Sequence, residues 1–356
     1  MVKDLCFEVI EKCLNNCKFC SSNSNCNKNN IIKFEDFKRT IDYFMENGGI
    51  YELSLSGGEP FLHPDIIKMV RYAKSFGIRT VIFTSGVVFG RKLDESLKNQ
   101  ILSEMNDRLR KIDAYEEENE YLKAKVKKYY MGLIEEKNYQ SIDRKTLHEL
   151  KEIGLDKIVF DMQAYQDETD CFIMGRNEQA RASLLKSLID AKFEEIDIDV
   201  HFVPMKPNYK EITDILELLE IAGVKNISLL NFLPQGRGRI NAKELLLTES
   251  EKTDFFNILE NSKNIFSGNI RIGIPLKEDD THKCNAGLEK LDIKFDGSVL
   301  PCPAFKEITK EECERFNIKI PNIYKNLEDV VIKGNGTRVK PLCKQIYNSR
   351  KNKYHN

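Results

Sequence analysis

Short segments of alternating apolar and polar residues are separated by longer ones in which apolar residues recur every three or four positions, a rhythm that runs to about residue 265. The alternation predicts strands at 5–11, 51–56, 78–84, 157–163, 196–203 and 225–231. Helical spacing covers 34–47, where Phe34, Phe37, Ile41 and Phe44 share one face, and also 64–76, 178–192 and 209–222, with a further helix beginning near Arg144. Strands that alternate with helices predict a parallel α/β fold, and six such units a partial, TIM-like (β/α)6 barrel. In that architecture ligands meet the C-terminal ends of the strands.

The strands also predict an interior. In the segment Ile196–Phe202, Ile196, Ile198, Val200 and Phe202 take the helix-covered face, leaving Asp197, Asp199 and His201 on the other. The same alternation turns Glu8, Ser54, Ser56, Thr84, Asp161, Gln163 and Asn231 toward the lumen. A packed barrel fills that space with Val, Ile and Leu; polar residues predict a lined chamber instead. Asp199 and His201 are the candidates for proton removal from a substrate, and the alternative for any one of these residues is an ordinary satisfied polar group.

The rhythm breaks after the third strand. A charge-rich stretch over 91–141, without proline or glycine from Arg91 to Met131, carries Ile101, Met105, Ile112, Tyr115, Leu122, Val126, Tyr129 and Leu133 in nearly heptad spacing, with Arg108 and Asn119 at the remaining positions. One helix from 101 to 133 would part its ends by roughly 50 Å, which the barrel does not allow. The expectation is a helical hairpin reversing near Asp113 to Asn119, serving as a solvated cap or as a recognition element.

Composition narrows the class. The chain has 356 residues, 41% hydrophobic and 31% charged, with 55 basic against 56 acidic residues. The balance argues against nucleic acid or an anionic membrane as partner. No apolar run reaches the length of a membrane span, and residues 1–10 lack the features of a signal peptide. A cytoplasmic location follows as the expectation, and there ten cysteines point to metal or catalysis before disulfides.

The cysteines fall into two groups. Cys13, Cys17 and Cys20 form Cys-x3-Cys-x2-Cys, close enough in sequence for three thiolates to converge on soft metal ions. Structural zinc would need a fourth ligand, which Cys26 or Cys6 could supply; a four-iron cluster on three cysteines leaves one iron open. The strand at 51–56 runs into Gly57, Gly58, Glu59 and Pro60, where paired glycines permit close backbone approach and a carboxylate can accept hydrogen bonds from an amino group.

This combination resembles the radical S-adenosylmethionine (radical SAM) enzymes, whose signature is Cys-x3-Cys-x-aromatic-Cys with Gly-Gly-Glu about forty residues on. Here these are Cys13, Cys17, Phe19 and Cys20, then Gly57, Gly58 and Glu59. The resemblance implies a [4Fe-4S] cluster whose open iron is chelated by S-adenosylmethionine, with Gly57 to Glu59 receiving the amino group. Reductive cleavage then yields a deoxyadenosyl radical that abstracts hydrogen from a substrate. Family position suggests Asp161 or Gln163 for the cofactor ribose, and Thr84 belongs to the same cofactor-binding set. Leu233-Pro234-Gln235-Gly236-Arg237 resembles a Pro-x-Gly-Arg turn of many relatives, expected to close the cofactor pocket.

After about residue 268 the rhythm ends and the cysteines return as Cys284, Cys302, Cys313 and Cys343, with Asp296-Gly297 as a hairpin turn that brings Cys284 and Cys302 together. Cys-x(9 to 15)-Gly-x4-Cys resembles the opening of the SPASM and twitch extensions of radical SAM enzymes. The later cysteine run of a full SPASM pattern is absent, which implies a single auxiliary [4Fe-4S] cluster over 268–356; structural zinc is the alternative. Cys6, Cys26 and Cys171 read as packing residues.

The expected organisation is a barrel over 1–90 and 142–267, an insertion over 91–141 and an auxiliary domain over 268–356. The resemblance implies a peptide or protein substrate, with a sugar or other small metabolite as alternative, and an electron donor such as flavodoxin or ferredoxin. The short distance from Met1 to Cys13 argues against an N-terminal leader-binding domain. A zinc-stabilised interaction protein without catalysis is the reading from a different class.

Overall fold

In the computed structural model, residues 2–89, 95–115, 120–134, 139–273, 284–325 and 327–330 are described. The chain lays down β1 (Val2–Ile10), α1 (Phe34–Glu46), β2 (Ile50–Gly57), α2 (Ile66–Ser75) and β3 (Arg79–Thr84), then the insertion. The later elements are α5 (Arg144–Glu152), β6 (Lys157–Asp161), α6 (Asp167–Met174), α7 (Glu178–Phe193), β7 (Asp197–Phe202), α8 (Ile212–Ile221) and β8 (Asn226–Leu229). Strands β1, β2, β3, β6, β7 and β8 pair in that order, all parallel. This is the open parallel sheet of a partial barrel.

Burial follows the alternation. Leu5, Phe7, Leu53, Leu55, Ile82, Ile158, Phe160, Ile198, Val200, Phe202, Ile227 and Leu229 join the helices in one core. Helix α1 contributes Phe37, Ile41 and Phe44, all fully buried. Each such side chain contributes about 1.5–3 kcal/mol when removed from water, so the helix-covered face carries most of the fold's stability. The opposite face carries polar groups together with Val81, Phe83 and Val159, and on β3 the phase differs from the expected one: Thr84 shares the face of Ile82, not the lumen face of Phe83.

The sheet is wider than six strands. Strand β9 (Asn269–Ile272) adds in parallel beyond β8, and β10 (Lys290–Ile293) adds in parallel beside β1, followed by antiparallel β11 (Val299–Leu300). The rhythm therefore does not stop at residue 268; these pieces are two to four residues long and too short to show a period. Gly297 turns the β10–β11 hairpin with φ 81°, as the Asp-Gly pair predicts.

The insertion is a helical hairpin. Strands β4 (Val87–Phe89) and β5 (Tyr139–Ser141) pair antiparallel and bring its two ends together, with α3 (Glu95–Tyr115) and α4 (Glu120–Ile134) between them. Lys123 Nζ meets Asp113 at 2.5 Å across the two helices, and Lys128 meets Glu178 at 2.7 Å, tying α4 to α7. Three helices follow β8: α9 (Arg237–Ile240), α10 (Ala242–Leu245) and α11 (Glu249–Ser262); α12 (Lys310–Arg315) follows β11. Among the described residues no helix is long and apolar enough to cross a membrane.

Candidate cluster and cofactor site

Strand β1 ends in a register shift between Glu8 and Ile10, and the chain leaves it as the loop carrying Cys13, Cys17 and Cys20. Gly58 N donates to Ile10 O at 2.6 Å and Glu59 N to Lys12 O at 2.9 Å, stitching the end of β2 to the start of this loop. A Cβ on Gly57 would stand 2.3 Å from Ile10 O, and one on Gly58 2.1 Å from Lys12 O. The paired glycines are thus required by the loop's own backbone, a nearer cause than approach of a ligand.

Two further elements grip the loop. Asn16 N donates to Met174 O at 3.1 Å and Lys18 N to Ile173 O at 2.8 Å, at the end of α6. From beyond β8, Arg237 Nε donates to Cys17 O at 2.8 Å, Nη1 to Asn23 Oδ1 at 3.1 Å and Nη2 to Ser24 O at 2.7 Å. The turn expected to close the cofactor pocket is a clamp on the cysteine loop. Phe19 packs beside Cys17, Ile173, Met174, Met205 and Phe232 in an apolar cluster under the loop.

Cys13 and Cys17 are buried and Cys20 half-buried. Burial pushes the Cys13 thiol well up, with Glu59 next in effect, and it pushes Cys17 up together with the nearby Cys13, Cys20 and Asp161. The mutual influence brings the three sulfurs into one neighbourhood. Thiolates there need a cationic partner, which iron supplies. Among the described residues no three His, Cys, Asp or Glu side chains are arranged to hold a single metal ion. The donor set fits a cluster.

Glu59 sits at the base of the loop with no exposure. Its carboxylate accepts from Thr84 Oγ1 at 2.6 Å, Ser85 N at 2.9 Å, Ser85 Oγ at 2.6 Å and Phe61 N at 3.3 Å. Expected as a ligand for an amino group, it is instead occupied by the end of β3, and Thr84 is engaged with it. Gln163 is likewise a latch: its Oε1 accepts from Val203 N at 2.8 Å and its Nε2 donates to Asp161 and to His201 O at 3.3 Å. Asp161 faces Cys17, and burial raises its pKa to about 6. Of the two strand-end candidates, Asp161 is the one that presents a carboxylate.

The proposed proton acceptors are not free. Asp199 Oδ2 pairs with Lys157 Nζ at 2.7 Å, one pleat below His201 on β7. His201 lies against Phe83, ring centroids 5.2 Å apart, and burial with Arg271, Lys290 and Lys157 nearby drops its pKa to about 3. An imidazole so acidic when protonated is a weak base. The alternation placed both side chains on the lumen face; the cations around them come from other strands, β6, β9 and β10, which no single strand's pattern displays.

Sequence reasoning missed Arg176. Its guanidinium pairs with Asp170 at 2.7 and 2.9 Å, both side chains essentially without exposure. Nη1 is buried without a hydrogen-bond partner, and Cys17 and Asp161 are among the charges it feels. Gly175 between them caps α6 with φ 60°, where a Cβ would lie 2.5 Å from Asn16 O. An Asp and an Arg six residues apart around a helix-ending glycine were the available signal.

Cys284 and Cys302 are buried in one small cluster with Ala286, Leu300 and Phe305. Cys313, on α12, is half-buried and feels chiefly burial, Glu312 and Glu314. Cys343 lies outside the described residues. Two surface hollows, beside Lys38 and Tyr43 and beside Tyr209 and Asp254, lie apart from both cysteine groups.

Residues 7–106 match the family model of the Radical SAM superfamily. The superfamily's cofactors are a [4Fe-4S] cluster and S-adenosylmethionine. A probable GTP 3',8-cyclase of Saccharolobus islandicus is 26% identical over 244 residues, 68% of this chain and 61% of the relative, so the chain spans about three fifths of such relatives. A PqqA peptide cyclase of Bradyrhizobium diazoefficiens is 21% identical over 334 residues, 90% of this chain and 72% of that one. The fold superposes on Streptococcus suis SuiB bound to its precursor peptide SuiA with TM-score 0.62 at 15% identity, covering 98% of this chain and 67% of that one.

Proposed function

We propose that this protein is a radical SAM enzyme that modifies a peptide or protein. The supporting observation is the reach of its likenesses. The match to the PqqA peptide cyclase covers 90% of the chain, too much to leave out Cys284 and Cys302. The 244 residues shared with the probable GTP 3',8-cyclase are too few to run from Cys13 to Cys302. That relative nonetheless keeps a small metabolite as the second reading.

On this reading Cys13, Cys17 and Cys20 hold the [4Fe-4S] cluster and Cys284 and Cys302 contribute to an auxiliary one, with Cys313 and Cys343 as the further candidates. When bound, the cluster and S-adenosylmethionine supply a deoxyadenosyl radical that takes hydrogen from the substrate, an external reductant such as flavodoxin or ferredoxin providing the electron. The chain's residues position these groups. Glu59 fixes the strand end below the loop, Arg237 holds the loop's carbonyls, and Asp161 and the bare Nη1 of Arg176 present opposite charges toward a zwitterionic ligand.

The test is anaerobic reconstitution with iron and sulfide, reduction, and measurement of deoxyadenosine, first without substrate. Deoxyadenosine with two bound clusters is expected. Two bound zincs and no cofactor cleavage would favour the zinc-stabilised interaction protein and overturn the proposal. A short peptide encoded beside the gene that undergoes a mass change supports the peptide route; turnover of a metabolite alone moves the assignment to the second reading.

A further inference from the structure

A buried polar cluster lies on the lumen face of β1 and β10, outside the residues that grip the cysteine loop. Cys6 of β1 is in register with Asp292 of β10, and Glu8 follows one pleat along. Their neighbours Leu5, Phe7, Leu291 and Ile293 point into the helix-covered core, which puts Cys6, Glu8 and Asp292 on the opposite face. Glu8 and Asp292 have no exposure at all.

The carboxylates outnumber their partners. Lys306 pairs with Glu8 Oε1 and also donates to Ser22 Oγ at 2.7 Å, and Ser22 Oγ donates to Glu8 Oε1 at 2.9 Å. Glu8 Oε2 and both oxygens of Asp292 are left without a hydrogen-bond partner, although the Cys6 thiol, a weak donor, lies beside Asp292. Lys290, the other ammonium nearby, meets Asp4 at 2.5 Å. Buried carboxylate oxygens with no donor nearby except a thiol are costly in a protein that does nothing with them.

Their position is also informative. Ser22 stands two residues after Cys20 and Lys306 four residues after Cys302, so the cluster lies between the two cysteine groups. Lys306 shows that a cationic nitrogen is accommodated against Glu8.

The geometry points to Glu8 and Asp292 as a subsite for a protonated alkylamine or guanidinium group of the substrate, held between the two cysteine groups. The bare oxygens accept its N–H donors, and an entering cation favours the charged form of the carboxylates, so the pair selects it over a neutral side chain of equal size. The subsite rests on the proposed function only for the substrate to which the cation belongs; a peptide would supply it as a lysine or arginine side chain.

Calorimetry on the reconstituted full-length protein tests this with three probes, N-acetyl-lysine amide, N-acetyl-arginine amide and N-acetyl-norleucine amide. One or both charged probes should bind about tenfold or more tightly than the neutral one, and their ratio distinguishes ammonium from guanidinium. Asp292→Asn, which keeps the side-chain shape, should remove most of that preference while the circular dichroism spectrum is retained. Glu8→Gln should lower it as well. Equal binding of all three probes, or a preference that survives in both variants, overturns the subsite. Should neither variant fold, the wild-type comparison of charged and neutral probes still decides. Probe binding needs no cofactor cleavage, so failure to form deoxyadenosine would sink the proposed function and leave this result standing.

Discussion

Arg237 Nε donates to the backbone carbonyl of Cys17 at 2.8 Å, across 220 residues of chain. The turn beyond β8 thereby fixes the middle cysteine of a loop that begins at the end of β1. Cluster-loop geometry in this protein depends on a guanidinium fork as much as on the spacing of the cysteines.

Arg237→Ala removes three hydrogen bonds from a charged donor, each worth about 1.5–3 kcal/mol. The expected outcome is a clear loss of thermal stability and of iron per chain after reconstitution. Arg237→Lys should recover little, because an ammonium cannot span the three acceptors. Full iron loading in the alanine variant would show that the clamp is dispensable.

Glu59→Gln places an amide N–H₂ against the donors of Thr84 and Ser85. Leaving such buried groups mispaired costs about 1–3 kcal/mol each, so the metal-free protein should unfold at lower urea, and Thr84→Val should show a smaller loss. If Glu59 served chiefly to bind the cofactor, the metal-free stability would be unchanged and only cofactor affinity would fall.

Cys17→Ala is expected to reduce deoxyadenosine formation to background. Cys302→Ala should retain cofactor cleavage while losing roughly half of the iron, since its sulfur belongs to the second group. Iron analysis beside a cleavage assay checks both. Loss of cleavage in Cys302→Ala, with the fold intact, would make the two groups one functional unit.

Burial and the nearby Glu8 raise the Asp292 pKa from 3.8 to about 7, opposed by Lys306, Cys6 and Lys290. A carboxyl that binds its proton more tightly when folded stabilises the fold fully below about pH 4 and loses that contribution as pH rises to about 7. Asp292→Asn should remove this slope, so that the variant gains on the parent by up to about 4 kcal/mol between acidic and neutral pH. Denaturant titrations from pH 4 to 8 on both proteins check it. Parallel stability curves would mean that the carboxyl titrates normally.

The strands and the cysteine loop were readable because their signals are local: a period of two in YELSLS and IDIDVHF, and three cysteines within eight residues. The work of Gly57, Gly58 and Glu59 was not, since the groups that require them belong to residues 10–12 and 84–85. Arg176 escaped for the same reason: its unmet N–H is visible only when α6, the cysteine loop and β6 are together. Strands β9 and β10 are four residues each, too short to carry a period, and pairing with β8 and β1 is what makes them strands. Asp199 and His201 lie on the lumen face as the alternation predicts, but Lys157, which pairs with Asp199, and Arg271, near His201, lie on the other strands β6 and β9.

Because β10 lies beside β1, Asp4 and Lys290 are ion-paired across 286 residues. During synthesis β1 acquires β2 within its first few dozen residues, yet its other edge stays bare until Lys290–Ile293 has left the ribosome. Its contacts are therefore among the slowest to close, and the exposed edge of β1 is where a nascent or C-terminally truncated chain would find the wrong partner.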